Sequence, residues 1–244
     1  MTKFFLYLFG FLFFVEGFSQ SRNYGIEAVY QKVLLKERID QEAIQDSRVK
    51  SQIISIEKSF ESLNYKLLSN GHESLFFLQP SLSNDGLPVN SRAVGKGGGN
   101  GKYYVNIEED LLIHQTDLFG RQFRVRYPVP RYNWTLHKNS KSIAGYTCYR
   151  ATAEVIIDDF RGILTQHIEA WYSPELPSSL GPADFVGLPG MVLEGGSGNI
   201  RFRIKSINKK KNPKIIRPLK GELVNNEEFI AIFNEGMNKI RNNK

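Results

Sequence analysis

His167 and Glu169 are the residues whose types and spacing come nearest to catalytic chemistry in this sequence. They lie two positions apart in a run of β-forming residues, and on a strand that spacing puts both side chains on one face. A histidine beside a carboxylate is an acid/base arrangement, and both groups are zinc ligands. Spacing places no third ligand, so a cross-strand polar pair on a solvated face is the simpler interpretation. The alternative hypothesis is a hydrolase, metal-assisted or not, with a site around His167 and Glu169 and with Asp184 as a further member.

Other reactive side chains stand alone in the sequence. Ser178-Ser179 lack the flanking glycines of a nucleophile elbow, and Asp158-Asp159 stand where a turn is predicted. The glycine-rich run 95–101 lacks the Gly-Lys-Ser/Thr ending of a phosphate-binding loop. We therefore predict no catalytic residue, no cofactor and no metal.

The segment from Ala170 to Glu194 is the most constrained stretch of the chain. Between an aromatic strand end and an apolar run it places three glycines and four prolines, which are Gly181, Gly187, Gly190, Pro174, Pro177, Pro182 and Pro189. Proline fixes φ and glycine accepts positive φ at low cost, so this segment has few conformations to lose on folding. We predict a stiff loop that is shaped for contact.

Aromatic and apolar side chains flank this loop and suggest a binding recess. A rigid rim lowers the entropic cost of binding, and a concave apolar floor suits an extended ligand. We predict a recess for an apolar or peptide-like ligand, or for an envelope protein, formed by Trp171, Tyr172, Tyr146, Phe185, Gly187, Leu188, Pro189 and Gly190. The simpler alternative is that Trp171 and Leu188 close one end of the hydrophobic core.

Two sequence blocks resemble one protein family. Gly187-Leu188-Pro189-Gly190-Met191-Val192 resembles the signature of the GLPGLI family, exported proteins of Gram-negative bacteria that are named for that hexapeptide. Upstream, Trp134 and the stretch from Ile143 to Ala151 are similar to the family's Trp and Ile-x-Gly-Tyr-x-Cys-x-x-Ala block. Met191-Val192 replaces Leu-Ile, an apolar exchange of similar volume. The resemblance implies export and implies no reaction.

The N-terminus has the composition of a secretory signal peptide. Lys3 precedes an apolar run from Phe4 to Val15, and Gly17-Phe18-Ser19 supplies small residues for cleavage before Gln20. The apolar run is shorter than the roughly 18 to 20 residues that cross a bilayer. We therefore predict a signal peptide over residues 1–19, a periplasmic or secreted protein, and no transmembrane span in the mature chain.

The formal net charge of +7 is concentrated towards the C-terminus. No carboxylate lies between Glu194 and Glu222, while basic residues recur from 201 to 220. In an exported protein such a surface faces anionic headgroups rather than nucleic acid. We predict contact between the segment 201–220 and an anionic surface and no nucleic-acid partner, with a solvated strand face as the simpler alternative.

Strand patterns dominate the remaining sequence. Asn70-Gly71 between two apolar runs predicts a hairpin, short β-forming runs from 103 to 137 predict a meander, and Gly195 to Asn199 reads as a further turn. Apolar periodicity predicts one helix within 39–63 and a C-terminal helix that begins at Asn225 or Asn226. We predict an α+β, mostly β fold: a single curled antiparallel sheet, half-barrel-like, with both helices packed on it.

One domain is predicted for the mature chain, residues 20–244, because no linker divides it. Within it, the segment 80–102 is predicted to be a mobile loop, since its glycine-rich composition buries little apolar surface. Cys148 is the only cysteine and cannot form an internal disulfide, so the fold depends on its core. Its place in the middle of a predicted strand indicates a small apolar residue rather than a reactive thiol.

Overall fold

The computed structural model describes residues 24–39, 45–80, 91–176 and 178–242. The predicted signal peptide, residues 1–19, lies outside this part of the chain. Strands dominate the described residues, and in chain order they are β1 (Tyr24–Leu34), β2 (Asn64–Ser69), β3 (Glu73–Leu78), β4 (Lys102–Asn106), β5 (Leu111–Leu118), β6 (Arg121–Tyr127), β7 (Thr135–Ile143), β8 (Tyr146–Asp159), β9 (Gly162–Ser173), β10 (Met191–Ser197), β11 (Ile200–Lys211) and β12 (Glu222–Asn225). All of these strands belong to one sheet.

Two antiparallel series of strands make up the sheet. Its spatial order is β12-β6-β5-β4-β3-β2-β1-β11-β10-β9-β8-β7. The series β1 to β6 and β7 to β11 each follow chain order, and they join where β1 pairs antiparallel with β11, with Leu34 opposite Ile200. At one edge, β12 pairs in parallel with β6, with Glu222 opposite Phe123. The sheet is therefore mixed.

The predicted fold class is wrong. The sequence predicts an α+β chain built on a curled, half-barrel-like antiparallel meander, whereas the described residues form one large mixed sheet of twelve strands with β12 and β7 at its edges. The prediction rests on turn spacing, which identifies hairpin neighbours only. The pairings of β1 with β11 and of β12 with β6 join segments that are far apart in the sequence, and no turn signal predicts either pairing.

Three α-helices accompany the sheet in the described ranges: α1 (Ser47–Glu61), α2 (Ser91–Gly95) and α3 (Asn226–Asn242), together with a short 3-10 helix, Lys36–Arg38. The Asp46 carboxylate caps α1 by accepting hydrogen bonds from the backbone N–H groups of Arg48 and Val49. Asn225 and Glu228 form a reciprocal capping box at the start of α3, with bonds of 2.8 and 2.9 Å. None of the described helices combines the length and the apolar character that a membrane crossing needs.

Aromatic contacts attach α3 to two hairpin turns. Phe229 meets Phe123 of β6 edge-on, with ring centres 5.7 Å apart. Phe233 stacks with Phe119 of the β5–β6 turn at 6.3 Å and meets Phe160 of the β8–β9 turn at 5.6 Å. The C-terminal helix therefore bridges turns from the two series of strands.

The main hydrophobic core lies against β1 to β4 and β8 to β11. Tyr65 stacks on Phe76 with ring centres 5.4 Å apart, and Phe202 meets both rings edge-on at 5.1 and 5.3 Å. Aromatic pairs of this kind contribute about 0.5–1.5 kcal/mol each beyond the area that they bury. The Tyr30 hydroxyl donates to the Val192 carbonyl at 2.7 Å and so links β1 to β10 through the core.

Lys32 places a charge inside this core. Its side chain is 3 % exposed, and its ammonium group donates to the carbonyls of Ala93, Val94 and Lys96 at 3.1, 2.6 and 2.6 Å. The ammonium group also lies over three aromatic rings at 5.4 to 5.8 Å. Burial lowers the pKa of Lys32 to about 7. These bonds attach the end of α2 to the sheet. Helix α2 lies within the segment 80–102, which is predicted to be a mobile loop, and residues 81–90 of that segment lie outside the described chain.

Candidate functional site

The loop between β9 and β10, residues 174–190, packs against the rest of the protein, and most of its described residues are buried. Trp134 Nε1 donates to the Val186 carbonyl at 3.0 Å. Gly187 has φ +89°, and a Cβ at this position would lie 2.6 Å from Pro130. Only glycine meets both conditions without strain. The loop therefore forms a fixed wall beside the sheet.

Asp184 is the buried acidic residue of this loop, with 8 % of its surface exposed. One carboxylate oxygen accepts hydrogen bonds from the Arg131 guanidinium and, at 2.7 Å, from the Tyr132 hydroxyl. Arg131 also lies over the Tyr127 ring at 4.0 Å. Burial, the largest single influence, lowers the pKa of Arg131, but Asp184 together with Tyr132, Tyr127 and Tyr103 raises this pKa above its ordinary value. Arg131 and Asp184 are thus a charge-balanced pair in a partly dry environment.

A cavity of about 860 Å³ includes Asp184 and Arg131 in its wall. We call it the ring-lined cavity, because its wall carries the rings of Tyr103, His114, Tyr127, Tyr132, Phe185 and Phe202. Leu34, the glycines of the segment 97–99, residues 196–200 and two phenylalanines of α3 also line it. Aromatic side chains beside a few fixed polar groups suit a ligand that has both an apolar part and hydrogen-bonding groups.

His114 is held as a neutral group in this wall. Its ring stacks on Tyr103 with centres 4.0 Å apart, and Nε2 lies 2.8 Å from the Asn100 carbonyl. Burial lowers the pKa of His114 to about 4. At neutral pH the imidazole is therefore uncharged, and Nε2 must carry the proton that it donates to the carbonyl.

A second concave region, of about 1160 Å³, contains His167 and Glu169. Residues 166, 168 and 197–199 line both cavities, so the two are adjacent, whereas His167 and Glu169 line only this one. We call it the arginine cleft, because Arg38, Arg150 and Arg201 line it.

Glu169 is the buried carboxylate of the arginine cleft, with 8 % of its surface exposed. Both of its oxygens accept from Arg38 Nη2 at 2.9 Å, and one accepts from Arg150 Nε at 3.1 Å. Trp171 Nε1 donates to the same carboxylate at 3.3 Å. Burial by itself raises the pKa of Glu169, but the hydrogen bond and charge of Arg38, with smaller contributions from Trp171 and Arg150, lower it below its usual value.

His167, Glu169 and Asp184 have three separate sets of partners. His167 Nδ1 lies 3.1 Å from the Glu154 carboxylate, and both side chains are mostly exposed. Glu169 is held by arginines, and Asp184 pairs with Arg131 in the wall of the ring-lined cavity. Across the described ranges, no three His, Cys, Asp or Glu side chains are grouped as metal ligands would be.

Two consecutive glycines within β10 allow both sites to form. A Cβ on Gly195 would lie 2.8 Å from the Phe185 ring, and a Cβ on Gly196 would lie 2.2 Å from the Ile200 carbonyl oxygen and 3.1 Å from Cδ of Arg201. Successive strand residues face opposite sides, so Gly195 leaves room for the ring, and Gly196 leaves room for the Ile200 carbonyl and for the Arg201 stem beside it. The sequence predicts a turn here, but β10 runs through Ser197. Glycine inside a strand often indicates that another group approaches the backbone closely. The prediction of a turn at Gly195-Gly196 did not take this use of glycine into account.

The residues predicted to form a binding recess are spread over several environments. Phe185 lines the ring-lined cavity; Tyr172, Leu188 and Gly190 are buried; Gly187 and Pro189 are exposed on the loop; and Trp171 and Tyr146 are half-buried. Trp171 lies on the face of the arginine cleft, with the Lys141 ammonium 4.2 Å from its ring centre. Among these eight residues, Phe185 alone lines either of the two cavities described above.

Sequence reasoning did not identify the arginines and tyrosines that hold the buried carboxylates. Arg131 and Tyr132 lie 53 and 52 residues before Asp184, and Arg38 lies 131 residues before Glu169. Arg131 and Tyr132 directly follow Pro128-Val129-Pro130, and nothing in that stretch points to Asp184. Nothing in the sequence marks Arg38.

The predicted basic segment 201–220 is divided between buried and exposed groups. Arg201 is 1 % exposed, and Arg203 pairs with Glu194, which also accepts from Lys141 at 2.8 Å. Arg217 pairs with Glu109 at 3.0 Å. The exposed cations of the segment are Lys205, Lys209, Lys210, Lys211, Lys214, Arg217 and Lys220.

Cys148 lies in β8 and is fully buried. Burial raises the pKa of its thiol to about 11. The thiol is therefore protonated at neutral pH and packs as a small side chain.

Comparison with a family described as "Protein of unknown function (Porph_ging)" gives a match over residues 162–194. This range contains β9, the loop between β9 and β10 and the first residues of β10, so it includes both Glu169 and Asp184. The sequence matches no curated protein. The match therefore covers the segment that joins the two candidate sites.

Two structures of PNGF-II are similar in fold to this chain. The structure in space group P21 has a TM-score of 0.53 and 13 % identity over 86 % of this chain, and the structure in space group C2 has a TM-score of 0.50 and 14 % identity over 88 % of it. The chain spans about a third of PNGF-II, 33 % and 32 % in the two cases. At this identity the likeness concerns the fold alone.

Proposed function

We propose that this chain is a non-catalytic binding or accessory protein that holds its ligand in the ring-lined cavity. The observation that carries the proposal is the wall of that cavity, in which aromatic rings surround the Arg131–Asp184 pair. The loop that supplies Asp184 and Phe185 is fixed by Gly187 and by the Trp134 bond to Val186. A preformed wall lowers the ordering cost of binding.

The chemistry of the wall indicates the class of ligand. Tyr103, Tyr127 and Phe202 belong to the wall and supply apolar surface for an apolar or aromatic part of a ligand. Asp184, Arg131 and Asn100 place hydrogen-bonding groups in the same wall. An apolar molecule or peptide segment that carries a few polar groups is the ligand that this combination supports. A volume of about 860 Å³ suits a ligand of drug-like or short-peptide size.

Location and family are part of the same proposal. The residues of the segment 1–19 support export through a signal peptide, and hence a periplasmic or secreted protein. We assign the chain to the GLPGLI family on the hexapeptide Gly187 to Val192 and on the upstream block from Ile143 to Ala151. An envelope protein or an envelope-derived molecule is then the expected source of the ligand.

A fluorescence titration tests the cavity directly. Nile red, an uncharged apolar dye, should bind with increased emission, because its rings can enter among the aromatic side chains. Leu34 ends β1 and lines the ring-lined cavity but not the arginine cleft, so Leu34→Glu should weaken dye binding at least tenfold. Leu223→Glu, on the exposed edge strand β12, is the matched control and should bind as the wild type does.

Equal dye binding by wild type, Leu34→Glu and Leu223→Glu would refute a site in the ring-lined cavity. Mass spectrometry of molecules that co-purify with the mature protein from its native envelope then identifies the ligand. A specific apolar or peptide-like molecule that the Leu34→Glu protein loses would support the proposal. Steady conversion of that molecule by the purified protein would overturn the non-catalytic assignment.

A further inference from the structure

The arginine cleft has more positive than negative charge around its buried carboxylate. Arg38, Arg150 and Arg201 all lie within 4 Å of Glu169, with the Arg201 Nη2 to Oε1 distance at 3.9 Å. Three guanidinium groups against one carboxylate leave an excess of two positive charges at this point. Glu154, the other carboxylate in the lining, pairs with His167 instead.

Arg201 is the least compensated of the three arginines. Its side chain is 1 % exposed, and its Nη1 donates to the carbonyls of Gly198 and Ile200 at 2.8 and 3.0 Å. Its Nη2 lies beyond hydrogen-bond reach of Glu169. Its Nε is buried and has no acceptor among the described residues. Burial, followed by the charge of Arg38, lowers the pKa of Arg201. A buried cation with an unused donor is costly unless an acceptor reaches it.

The two outer arginines are placed to reach a ligand. The side chains of Arg38 and Arg150 are 40 % and 35 % exposed, so each can bond Glu169 with one edge while other N–H groups face the cleft. Hydroxyl and amide groups complete the lining, and they belong to Thr135, Thr152, Thr165, Asn133, Ser197 and Asn199. The planar forks of guanidinium groups match the paired oxygens of carboxylates and phosphates.

We propose that the arginine cleft binds an oxyanion group, a carboxylate or a phosphate, of a small ligand through Arg38, Arg150 and Arg201. The anion neutralises the excess charge that Glu169 leaves. This site is adjacent to the ring-lined cavity, since residues 166, 168 and 197–199 line both, but Arg38, Arg150, Arg201 and Glu169 line the cleft alone. Substitutions of these arginines therefore test anion binding without replacing a residue that lines the ring-lined cavity.

Isothermal titration of the mature protein with inorganic phosphate and, in parallel, with succinate tests the proposal. Sodium chloride at equal ionic strength is the reference for screening. At least one of the two anions should bind saturably. The anion that binds more tightly shows whether the cleft prefers a phosphate or a carboxylate. Arg150→Gln should weaken that binding at least tenfold. Arg121→Gln removes the same charge from β6, where Arg121 forms an exposed ion pair with Glu222 of β12. This control variant should leave anion binding unchanged.

Arg201→Met leaves Gly198 and Ile200 without a donor and is prone to misfold, so the partly exposed Arg38→Gln is the second test variant. Arg38→Gln should weaken binding as Arg150→Gln does. Two results would overturn the proposal: heats for both anions no larger than for chloride, or binding that Arg150→Gln, Arg38→Gln and Arg121→Gln reduce equally.

Discussion

Asp184 and Glu169 are two buried carboxylates that lie fifteen positions apart in the chain and are equally exposed, at 8 %. They differ in their partners. Asp184 has one arginine and a tyrosine hydroxyl, so charge and hydrogen bonding balance. Glu169 has two arginines in direct contact and a third at 3.9 Å, so the cations outnumber it. A balanced pair indicates a fixed structural element, and an unbalanced group indicates a place where a further anion is stabilised.

The same difference appears in how each carboxylate is positioned. Asp184 is carried by a loop that is fixed to Trp134, and its partner Arg131 packs on the Tyr127 ring. Glu169 is carried by β9, which pairs with β10 on one side and β8 on the other, while its partner Arg38 comes from a short 3-10 helix and remains partly exposed. The first arrangement resists change, and the second leaves its arginines free to turn towards a ligand.

Removal of the carboxylate of Asp184 should produce the largest loss of stability. Asp184→Ala leaves Arg131 in a largely buried position without its counter-charge, and we expect the free energy of unfolding to fall by about 3–5 kcal/mol. Urea unfolding followed by circular dichroism measures this change. The double variant Asp184→Ala/Arg131→Leu should recover part of the loss, because no unpaired charge remains. A loss below about 1 kcal/mol in the single variant would show that the pair is not the fixed element that we infer.

Neutralisation of Glu169 should cost less and should respond to anions. Glu169→Gln keeps the shape of the side chain, and Arg38 and Arg150 can turn towards solvent, so we expect a loss of about 1–3 kcal/mol. Phosphate or succinate should restore part of this loss in Glu169→Gln and none of it in Asp184→Ala. Thermal melting of both variants at constant ionic strength gives the comparison. Equal stabilisation of the two variants would mean that the anions act through general salt effects, and the contrast between the sites would disappear.

The local elements of the fold were predictable from the sequence, because each has a local signal. Asn70-Gly71 lies at the β2–β3 turn, and Asn225 caps α3 together with Glu228, as a capping residue before an apolar stripe predicts. The stiff loop follows from its prolines and from Gly187, whose φ is positive. These features depend on neighbours within a few residues.

The wider arrangement was not predictable, because it depends on partners far apart in the sequence. The pairing of β1 with β11 and the parallel pairing of β12 with β6 have no turn that sets their register, and both overturn the predicted meander. The same limit applies to the sites. The carboxylate of Glu169 could be found by residue type, but Arg38 and Arg201 reach it only through the completed sheet.

Lys32 extends the comparison to a buried charge that bonds backbone carbonyls instead of a carboxylate. Burial lowers the pKa of Lys32 to about 7, whereas an unfolded lysine titrates near 10.4. Between these values the unfolded chain binds a proton that the folded protein lacks, so the free energy of unfolding rises with pH. We expect an increase of about 1 kcal/mol from pH 7 to pH 8. Urea unfolding across this range measures it, and Lys32→Met should lack this increase; an equal increase in both proteins would assign it to another group.

Of these substitutions, His167→Ala should change the free energy of unfolding least. His167 lies on β9 as Glu169 does, but its contact with Glu154 of β8 is mostly exposed, with side-chain exposures of 76 % and 68 %. Solvent screens such a pair, so His167→Ala should change the free energy of unfolding by about 0.5 kcal/mol or less. The same variant should bind Nile red as the wild type does, because neither His167 nor Glu154 lines the ring-lined cavity. Loss of a cellular phenotype in His167→Ala at normal protein level would instead place His167 in the functional site and would revive a hydrolase centred on His167 and Glu169.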